Sequence, residues 1–295
     1  MTTAVFKYID PASYDPNATE VFKKPWNKVD GPGSSFGLLD KTCPVENLRG
    51  QESTFSTDNS GFAIHKSTSK EKDFTDNSRV TNDYYAEIEE LLRAKLPGVR
   101  KVVVFDHTIR RREGTSPRAP VQQVHVDQTP WAAEQRVRRH LPANEADDLL
   151  KGRYQIINVW RPIQNPATDF PLAIIDWRST NPSDFVKIDL LYPKDWEPGQ
   201  ERVQAPGSEL QTDGYEARGQ VYSIAPNDKH RFCYLKDMTP DEAMFIKCFD
   251  SHSHTMTGTT GIAHGAPHTA FFDPQTPEDA PPRQSIEARC LVFYS

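Results

Sequence analysis

From residue 152 onward, short apolar segments follow one another at a spacing typical of β-strands. The seven segments are "YQIINVWRPI", "LAIIDW", "FVKIDLLY", "GQVYSIA", "HRFCYLKD", "EAMFIKCFD" and "SIEARCLVFY". Turns rich in Pro, Asp, Asn and Gly separate them, and no long helical pattern lies between them. Strands at this density predict an all-β sandwich or barrel rather than a parallel α/β sheet.

The residues before 152 add helices and a few more strands to this β-rich region. We predict a helix over residues 81–98 and a β-branched strand over residues 99–111. Two short helices are predicted over residues 130–142 and 144–150. Residues 1–80 contain short strands among loops. We therefore predict a single domain over residues 1–295, in which 1–80 elaborate the N-terminus and 81–295 form helices plus the β core.

Composition limits the classes of partner and compartment. The chain has 41 acidic and 35 basic residues and a net charge of −6, whereas proteins that neutralise phosphates are normally basic, so we expect no nucleic-acid partner. No window approaches the roughly 18 apolar residues of a membrane span, and the N-terminus does not resemble a signal peptide. The four cysteines are scattered, which favours a cytoplasmic location. The sequence leaves the oligomeric state open, with a homodimer as one arrangement that it allows.

The segment "VQQVHVDQTP" places a histidine and an aspartate two positions apart in a strand-like pattern. Residues i and i+2 of a strand share a face, so His125 and Asp127 are predicted to project together. One imidazole and one carboxylate supply two of the three ligands of a 2-His-1-carboxylate site for iron(II). Taken alone, this spacing is also typical of two ordinary polar residues on the outer face of a strand.

A third ligand would have to come from the histidines late in the sequence. These form a cluster of His252, His254, His264 and His268. A barrel of the double-stranded β-helix type closes by bringing a late strand beside an early one, and a histidine on that late strand completes the triad. We interpret His252 and His254 as parts of a solvated loop.

The last strand-like segment offers candidates for binding an acidic cosubstrate. By the period of two, Arg283, Ser285, Glu287 and Arg289 share one face of this strand. A guanidinium can hold a carboxylate of 2-oxoglutarate through a bidentate fork, with the serine hydroxyl beside it. Either arginine is a candidate for this clamp, and surface salt bridging is the ordinary alternative.

Six segments, in order, resemble the fungal asaB hydroxylase/desaturase family, also described as gibberellin-desaturase-like and related to the cephamycin methoxylation protein. They are "VVVFDHTIRR", "VHVDQTPWAAEQRVRRHLP", "YQIINVWRPI", "DMTPDEAMFIKCFDS", "APHTAF" and "PPRQSIEARCLVFY". The resemblance runs from about residue 80 to the C-terminus. It implies an iron(II)/2-oxoglutarate-dependent oxygenase of secondary metabolism. The fold implied is mainly β, a double-stranded β-helix (jelly-roll, cupin-like) core with flanking α-helices.

The resemblance also implies roles for individual residues. It implies His125, Asp127 and His268 as ligands of Fe(II). The segment before "PHTAF" departs from the family pattern because it contains extra histidines, and this makes His264 the alternative third ligand. It further implies that an arginine of the C-terminal segment binds 2-oxoglutarate.

Four more residues are predicted to lie near the substrate. His107 and Arg110 recur in the family-like motif and would anchor an acidic substrate or support the metal ligands. Asn158 and Trp160 share a face of "NVWRPI" and would line the pocket or lie in the core.

The activity implied by the resemblance is hydroxylation or desaturation of a small molecule with O2, releasing succinate and CO2. Two alternatives come from other classes of protein. One is a cupin-like metalloenzyme that does not use 2-oxoglutarate, and the other is a non-catalytic accessory protein of a biosynthetic pathway.

Overall fold

Fourteen β-strands make up most of the regular structure in the part of the chain that the computed structural model describes, namely residues 1–112, 120–195, 207–253 and 261–295. His254 lies outside these residues. Strands β1 to β14 span Thr2–Ile9, Trp26–Lys28, Leu38–Asn47, Phe62–Lys66, Val99–Arg111, His125–Val126, Tyr154–Pro162, Leu172–Ile175, Phe185–Pro193, Tyr215–Ile224, Phe232–Tyr234, Glu242–Asp250, His268–Ala270 and Gln284–Tyr294. The prediction of a mainly β protein is confirmed.

The α-helices of the described residues are short and all lie before residue 150. Helices α1 to α4 span Asn77–Arg79, Tyr85–Lys95, Pro130–His140 and Ala143–Leu149. A π-helical turn, Val80–Tyr84, connects α1 to α2, so the first predicted helix begins earlier than its apolar pattern indicates. Thr129 caps α3, because its side chain accepts a hydrogen bond from the backbone N–H of Ala132, and Pro130 occupies the first turn.

The strands form two sheets. The larger sheet has the order β1-β3-β11-β8-β13-β6-β10-β9-β2, and the smaller has the order β4-β12-β7-β14-β5. All seven strands predicted after residue 152 are present, as β7 to β12 and β14. Residues 1–80 contribute strands to both sheets, since β1, β2 and β3 join the larger and β4 joins the smaller. That the chain is one domain in which residues 1–80 elaborate the N-terminus stays a prediction.

The main hydrophobic core lies between the two sheets. It joins apolar side chains of the larger sheet, such as Phe6 and Phe232, to those of the smaller sheet, such as Ile246 and Leu291. Phe6 and Phe232 stack with their ring centroids 3.7 Å apart. Burial of these side chains away from water is the principal force that closes the sheets on one another.

A second core covers the outer face of the smaller sheet. Ile88 and Leu92 of α2 pack with side chains of β7, β12 and β14, including Val159 and Phe245. Every residue of β7 and of β12 is therefore buried. Burial on both faces explains why these two strands lack the strict apolar–polar alternation of a half-exposed strand. No helix among the described residues is long and apolar enough to cross a membrane.

Candidate metal centre

The H-x-D segment lies beside the late "PHTAF" segment in the middle of the larger sheet. Strand β6 is only two residues long, and His125 in β6 is directly opposite His268 in β13 in an antiparallel pair. The two imidazole rings have their centroids 4.5 Å apart. Asp127 follows immediately after the strand ends. The structure therefore brings together the three residues that the sequence predicted as a triad.

These three residues form a compact group of possible metal ligands. One ligand atom from each of His125, Asp127 and His268 lies within 4.8 Å of the other two. The Nε2 atom of His125 is 3.3 Å from Oδ1 of Asp127. Among the described residues, no other cluster of three His, Cys, Asp or Glu side chains has this arrangement.

Backbone carbonyl groups orient both histidine rings. Nδ1 of His125 is 2.8 Å from the carbonyl oxygen of Gln123, and Nδ1 of His268 is 3.1 Å from that of Ala266. Because a carbonyl only accepts, each Nδ1 carries the proton and donates it. In the neutral ring each Nε2 then has a free lone pair, which is the form of histidine that binds a metal.

The two oxygens of the Asp127 carboxylate have different surroundings. Oδ1 lies towards His125, whereas Oδ2 accepts a hydrogen bond of 2.7 Å from Nδ2 of Asn158. Nε of Arg289 lies 3.7 Å from the same Oδ2. This arrangement leaves Oδ1 as the oxygen that faces the histidines.

Electrostatics favour a carboxylate at Asp127 and a neutral ring at His268, whereas at His125 burial alone would lower the pKa but the hydrogen bond and charge of Asp127 raise it. Burial alone would raise the pKa of Asp127, but the hydrogen bond and charge of His125 and the charge of Arg289 hold it well below its usual range. Burial and the neighbouring His125 lower the pKa of His268. Asp127 is therefore a carboxylate and His268 a neutral imidazole.

The alternative third ligand, His264, lies outside this group. Its ring is buried between Tyr222 and Phe249, with centroid distances of 6.1 and 5.6 Å, and its Nε2 has no hydrogen-bond partner. Burial lowers the pKa of His264 to about 4. His264 is thus a neutral ring within the main core, and the structure brings His268 rather than His264 to the other two residues.

Two glycines permit close packing around the segment that leads to His268. Gly61 has φ +84°, and a Cβ atom there would lie 2.9 Å from Cβ of Ala266. A Cβ on Gly265 would lie 3.1 Å from the Val126 side chain. Larger residues at either position would displace the segment that places His268 opposite His125.

The triad forms one end of a cleft between the two sheets, here called the triad cleft. Its lining consists of Thr108, Arg110, Val121, His125, Asp127, Trp160, Leu172, His268, Thr269, Ala270, Arg283, Ser285, Glu287 and Arg289. Arg283, just before β14, and the alternate residues Ser285, Glu287 and Arg289 within it all face this cleft, as the period of two predicts. Val121 and Leu172 add apolar side chains to the lining.

The two candidate arginines differ in their partners. Arg289 bonds Asp106, Thr108 and Glu287 at 3.0, 2.9 and 2.8 Å. In contrast, the guanidinium of Arg283 is 2.5 Å from the carbonyl oxygen of Phe170 and has no carboxylate partner among the described residues.

The guanidinium of Arg283 also keeps an unused donor in a buried position. Its Nε atom lacks a hydrogen-bond partner, although the residue is only 3% exposed. Burial and the charge of Arg110 lower the pKa of Arg283 to about 10. Arg283 is therefore the cation on this wall that an incoming carboxylate would stabilise most.

The four residues predicted near the substrate occupy different places. Trp160 and Arg110 line the triad cleft, and the guanidinium of Arg283 lies 5.7 Å from the Trp160 ring centroid. Asn158 bonds Asp127 and so contacts the candidate ligand rather than the cleft. His107 is not brought to the triad cleft, because its Nδ1 lies 2.8 Å from the hydroxyl of Tyr85 in α2.

Sequence reasoning did not find a second, more basic cleft that also borders Asp127. We call it the basic cleft and define it by Asp127, Gln128, Gln135, Arg136, Arg139 and Arg218. Ala132, Gln135, Arg136 and Arg139 all line it from α3. Their spacing of i, i+3, i+4 and i+7 is the signal that could have shown one helical face beside the H-x-D segment.

Comparison with known proteins assigns the chain to a family. A protein-family profile described as "Oxidoreductase/YMDC permease-like domain" matches residues 6–293. The hydroxylase/desaturase efuI of Hormonema carpetanum is 31% identical over 266 residues, which cover 85% of this chain and 82% of that protein. The chain belongs to this hydroxylase/desaturase family.

Two further relatives extend the description of the hydroxylase/desaturase family. The hydroxylase/desaturase asaB of Aspergillus flavus is 37% identical over 155 residues, covering 52% of this chain and 62% of asaB. The Fe(II)/2-oxoglutarate-dependent dioxygenase nvfI of Aspergillus novofumigatus is 29% identical over 267 residues, covering 88% and 86%. The predicted family and enzyme class, an oxidoreductase that depends on Fe(II) and 2-oxoglutarate, are confirmed.

A solved structure confirms the fold of this hydroxylase/desaturase. The iron and alpha-ketoglutarate-dependent endoperoxidase NvfI superimposes with a TM-score of 0.78 at 24% identity, covering 99% of this chain and 98% of that one. The predicted double-stranded β-helix, or jelly-roll, architecture is therefore confirmed.

Proposed function

We propose that His125, Asp127 and His268 hold Fe(II) and that Arg283 with Ser285 holds 2-oxoglutarate in an oxygenase that hydroxylates or desaturates a small molecule. One observation carries this assignment: the ligand atoms of the three residues converge within 4.8 Å on one wall of a cleft that also contains Arg283. Two neutral imidazole nitrogens and one carboxylate oxygen are the donor set that suits Fe(II) with open coordination positions.

The residues present fit both the metal and the cosubstrate. When bound, Fe(II) and 2-oxoglutarate supply the oxidising chemistry, in which O2 is consumed, succinate and CO2 are released and a C–H bond of the substrate is hydroxylated or desaturated. The unused Nε donor of Arg283 supports its role as the clamp for the distal carboxylate. Ser285, which is buried on the same wall, supplies a hydroxyl beside it.

Residues around the triad orient these groups. Asn158 fixes Oδ2 of Asp127, and the backbone carbonyls of Gln123 and Ala266 fix the two histidine rings. Trp160 lines the triad cleft, with its ring centroid 5.7 Å from the guanidinium of Arg283. A preorganised site of this kind needs no side chain that acts as a nucleophile.

The same proposal covers the organisation and setting of the chain. We take residues 1–295 as a single oxygenase domain whose partners are O2 and a small organic substrate. The four cysteines are buried free thiols, which supports a cytoplasmic location. A sizing measurement in solution would decide between a monomer and a homodimer.

Anaerobic titration tests the proposed function. The full chain is titrated with Fe(II), first alone and then with 2-oxoglutarate, while the visible spectrum is recorded. We expect a weak charge-transfer band that needs both components, followed by release of succinate when O2 is admitted. Iron binding with no effect of 2-oxoglutarate would favour the cupin-like alternative, and failure to bind iron would favour an accessory protein.

A further inference from the structure

The basic cleft has an unusual balance of charge for this protein. Its lining contains three arginines and a single carboxylate, Asp127, although the whole chain has a net charge of −6. Apart from Asp127, the basic cleft shares no lining residue with the triad cleft. In the proposed function Asp127 binds the metal, which balances its negative charge. The other charged residues of the basic cleft are all positive.

The three arginines of the basic cleft differ in how far their charge is balanced. Arg218 bonds the carboxylate of Glu216 and, at 2.7 Å, the carbonyl oxygen of Lys194. Arg139 is exposed to water. Arg136 is half-buried, lies 5.6 Å from the ring centroid of Phe105 and has no carboxylate hydrogen-bond partner in the described part of the chain.

Arg136 is thus a cation that is removed from water without a bonded counter-charge. Burial and the nearby charge of Arg139 lower the pKa of Arg136. Tyr192 and Asp106 offset this lowering only in part. An anion placed in the cleft would restore the balance, and a guanidinium can bind a carboxylate through two parallel hydrogen bonds.

The polar neighbours of Arg136 suit an oxygen-rich ligand. Gln128 and Gln135 add amide groups to the lining, and each amide can donate a hydrogen bond to a second oxygen. Asp127 lines both clefts and no other described residue does, so the basic cleft adjoins the triad cleft at this carboxylate and lies apart from Arg283. The cosubstrate and the ligand of the basic cleft therefore need not compete.

We propose that the basic cleft binds an ionised oxygen group, a carboxylate or an enolate, of the organic substrate, with Arg136 as its anchor. This inference rests on the proposed function, because it needs a metal at Asp127. It narrows the substrate class to organic acids and places Arg136 among the residues that determine specificity.

Paramagnetic relaxation by Mn(II), used in place of Fe(II), tests this inference without turnover. The full chain with Mn(II) and saturating 2-oxoglutarate is mixed with benzoate or with methyl benzoate, and the relaxation of the ring protons is measured by NMR. We expect benzoate to be relaxed more strongly than its ester. In Arg136→Gln we expect benzoate to bind about tenfold more weakly and the preference to disappear.

Two further variants separate charge from packing. Arg136→Lys keeps the charge and should retain a preference for benzoate. Arg138→Gln is the matched control, because Arg138 lies on the same helix but is exposed and paired with Glu134 and Asp147. We expect it to behave as wild type.

The outcomes distinguish this inference from the proposed function on which it rests. If Mn(II) does not relax the protons of 2-oxoglutarate, the proposed function fails. If 2-oxoglutarate is relaxed but benzoate and its ester show equal relaxation, including none, only the assignment of the basic cleft fails. A preference that survives in Arg136→Gln would also overturn the role of Arg136.

Discussion

The carboxylate of Asp127 shows how single contacts prepare the candidate metal centre. Oδ1 is 3.3 Å from Nε2 of His125, while Oδ2 is 2.7 Å from Nδ2 of Asn158. An oxygen that accepts a strong hydrogen bond is less available to a metal, so this geometry favours binding through Oδ1 alone. Asn158 is fully buried and its own Oδ1 has no hydrogen-bond partner.

We therefore predict that Asn158→Ala weakens metal binding about tenfold to a hundredfold, the usual effect of removing a group that orients a ligand. Titration with Co(II) measures the affinity, and a change in its visible spectrum would report altered coordination. Gln155→Leu is a matched control, because Gln155 lies on the same strand and its amide bonds the carboxylate of Asp250 at 2.6 Å. Equal Co(II) affinity of wild type and Asn158→Ala would contradict the prediction.

Arg283 is the single residue on which binding of 2-oxoglutarate is expected to depend most. Arg283→Gln should weaken binding of 2-oxoglutarate about tenfold to a hundredfold. It should leave Fe(II) affinity without cosubstrate unchanged, because Arg283 is not one of the three clustered ligand residues. Anaerobic calorimetry can measure both affinities. Arg111→Gln is the control, since Arg111 bonds Gln284, beside Arg283, and lies outside the triad cleft lining. Wild-type affinity of Arg283→Gln for 2-oxoglutarate would refute the clamp.

The sequence allowed prediction of the residues on β14 more readily than those on β5. A period of two indicates that Arg283, Ser285 and Arg289 share a face, but not which face of a strand meets the cleft. In β5, Thr108 and Arg110 face the cleft, whereas His107 faces helix α2. Because β5 has partly buried residues on both faces, its sequence pattern does not distinguish them.

At the scale of elements, the short strand β6 depends on its neighbours for its position. It pairs with β10 on one side and β13 on the other, each through one or two residues. The H-x-D spacing predicted a common face, yet the register that sets His125 opposite His268 is fixed by long-range pairing. Sequence spacing alone contains no information about that register, which is why His264 stayed an alternative.

Helix α2 stabilises the sheet from outside without contacting the site. We predict that Ile88→Ala lowers the free energy of unfolding by about 2–5 kcal/mol, because it removes a fully buried side chain from the outer core. Urea denaturation measures this change, and Fe(II) affinity of the folded variant should equal that of wild type. The exposed neighbour Glu90→Ala should change stability by less than about 0.5 kcal/mol. A loss of Fe(II) affinity in folded Ile88→Ala would show that α2 supports the site after all.

The sequence pattern of some elements does not predict their structure. Strand β3 was not predicted, since its residues are mostly polar or exposed and include Pro44. It exists because it pairs with β1 and β11 in the larger sheet. Long-range pairing of this kind outweighs weak local preference.

At the scale of the whole molecule, one buried ionic cluster connects distant parts of the chain. Lys247 of β12 has a fully buried side chain and bonds Asp250 at 2.6 Å and Asp58 at 3.0 Å. Arg153, just before β7, bonds the same two aspartates at 2.7 and 2.6 Å. The cluster thus ties the N-terminal 80 residues to the strands that carry the site.

We predict that Asp250→Asn lowers the free energy of unfolding at neutral pH by about 3–5 kcal/mol, because it leaves Lys247 buried without its nearest counter-charge. Burial alone would raise the pKa of Asp250, but Arg153 and Lys247 lower it to about 2. In wild type this stabilisation is complete above the unfolded pKa of about 4 and is lost as the pH falls towards 2.

Chemical denaturation at several pH values checks this prediction. The stability of Asp250→Asn should depend less steeply on pH between about 4 and 2 than that of wild type. Asp148→Asn removes an exposed carboxylate that is 3.7 Å from Arg100 and should match wild type within about 0.5 kcal/mol. Identical acid sensitivity in wild type and Asp250→Asn would show that the cluster does not control acid stability.

The claim that His125, Asp127 and His268 bind the metal is tested most directly by anaerobic Fe(II) binding in paired histidine variants. With 2-oxoglutarate present, the visible charge-transfer band should form in wild type and in His264→Ala but not in His268→Ala, with folding of each variant verified by circular dichroism. Survival of the band in His268→Ala and its loss in folded His264→Ala would contradict the triad.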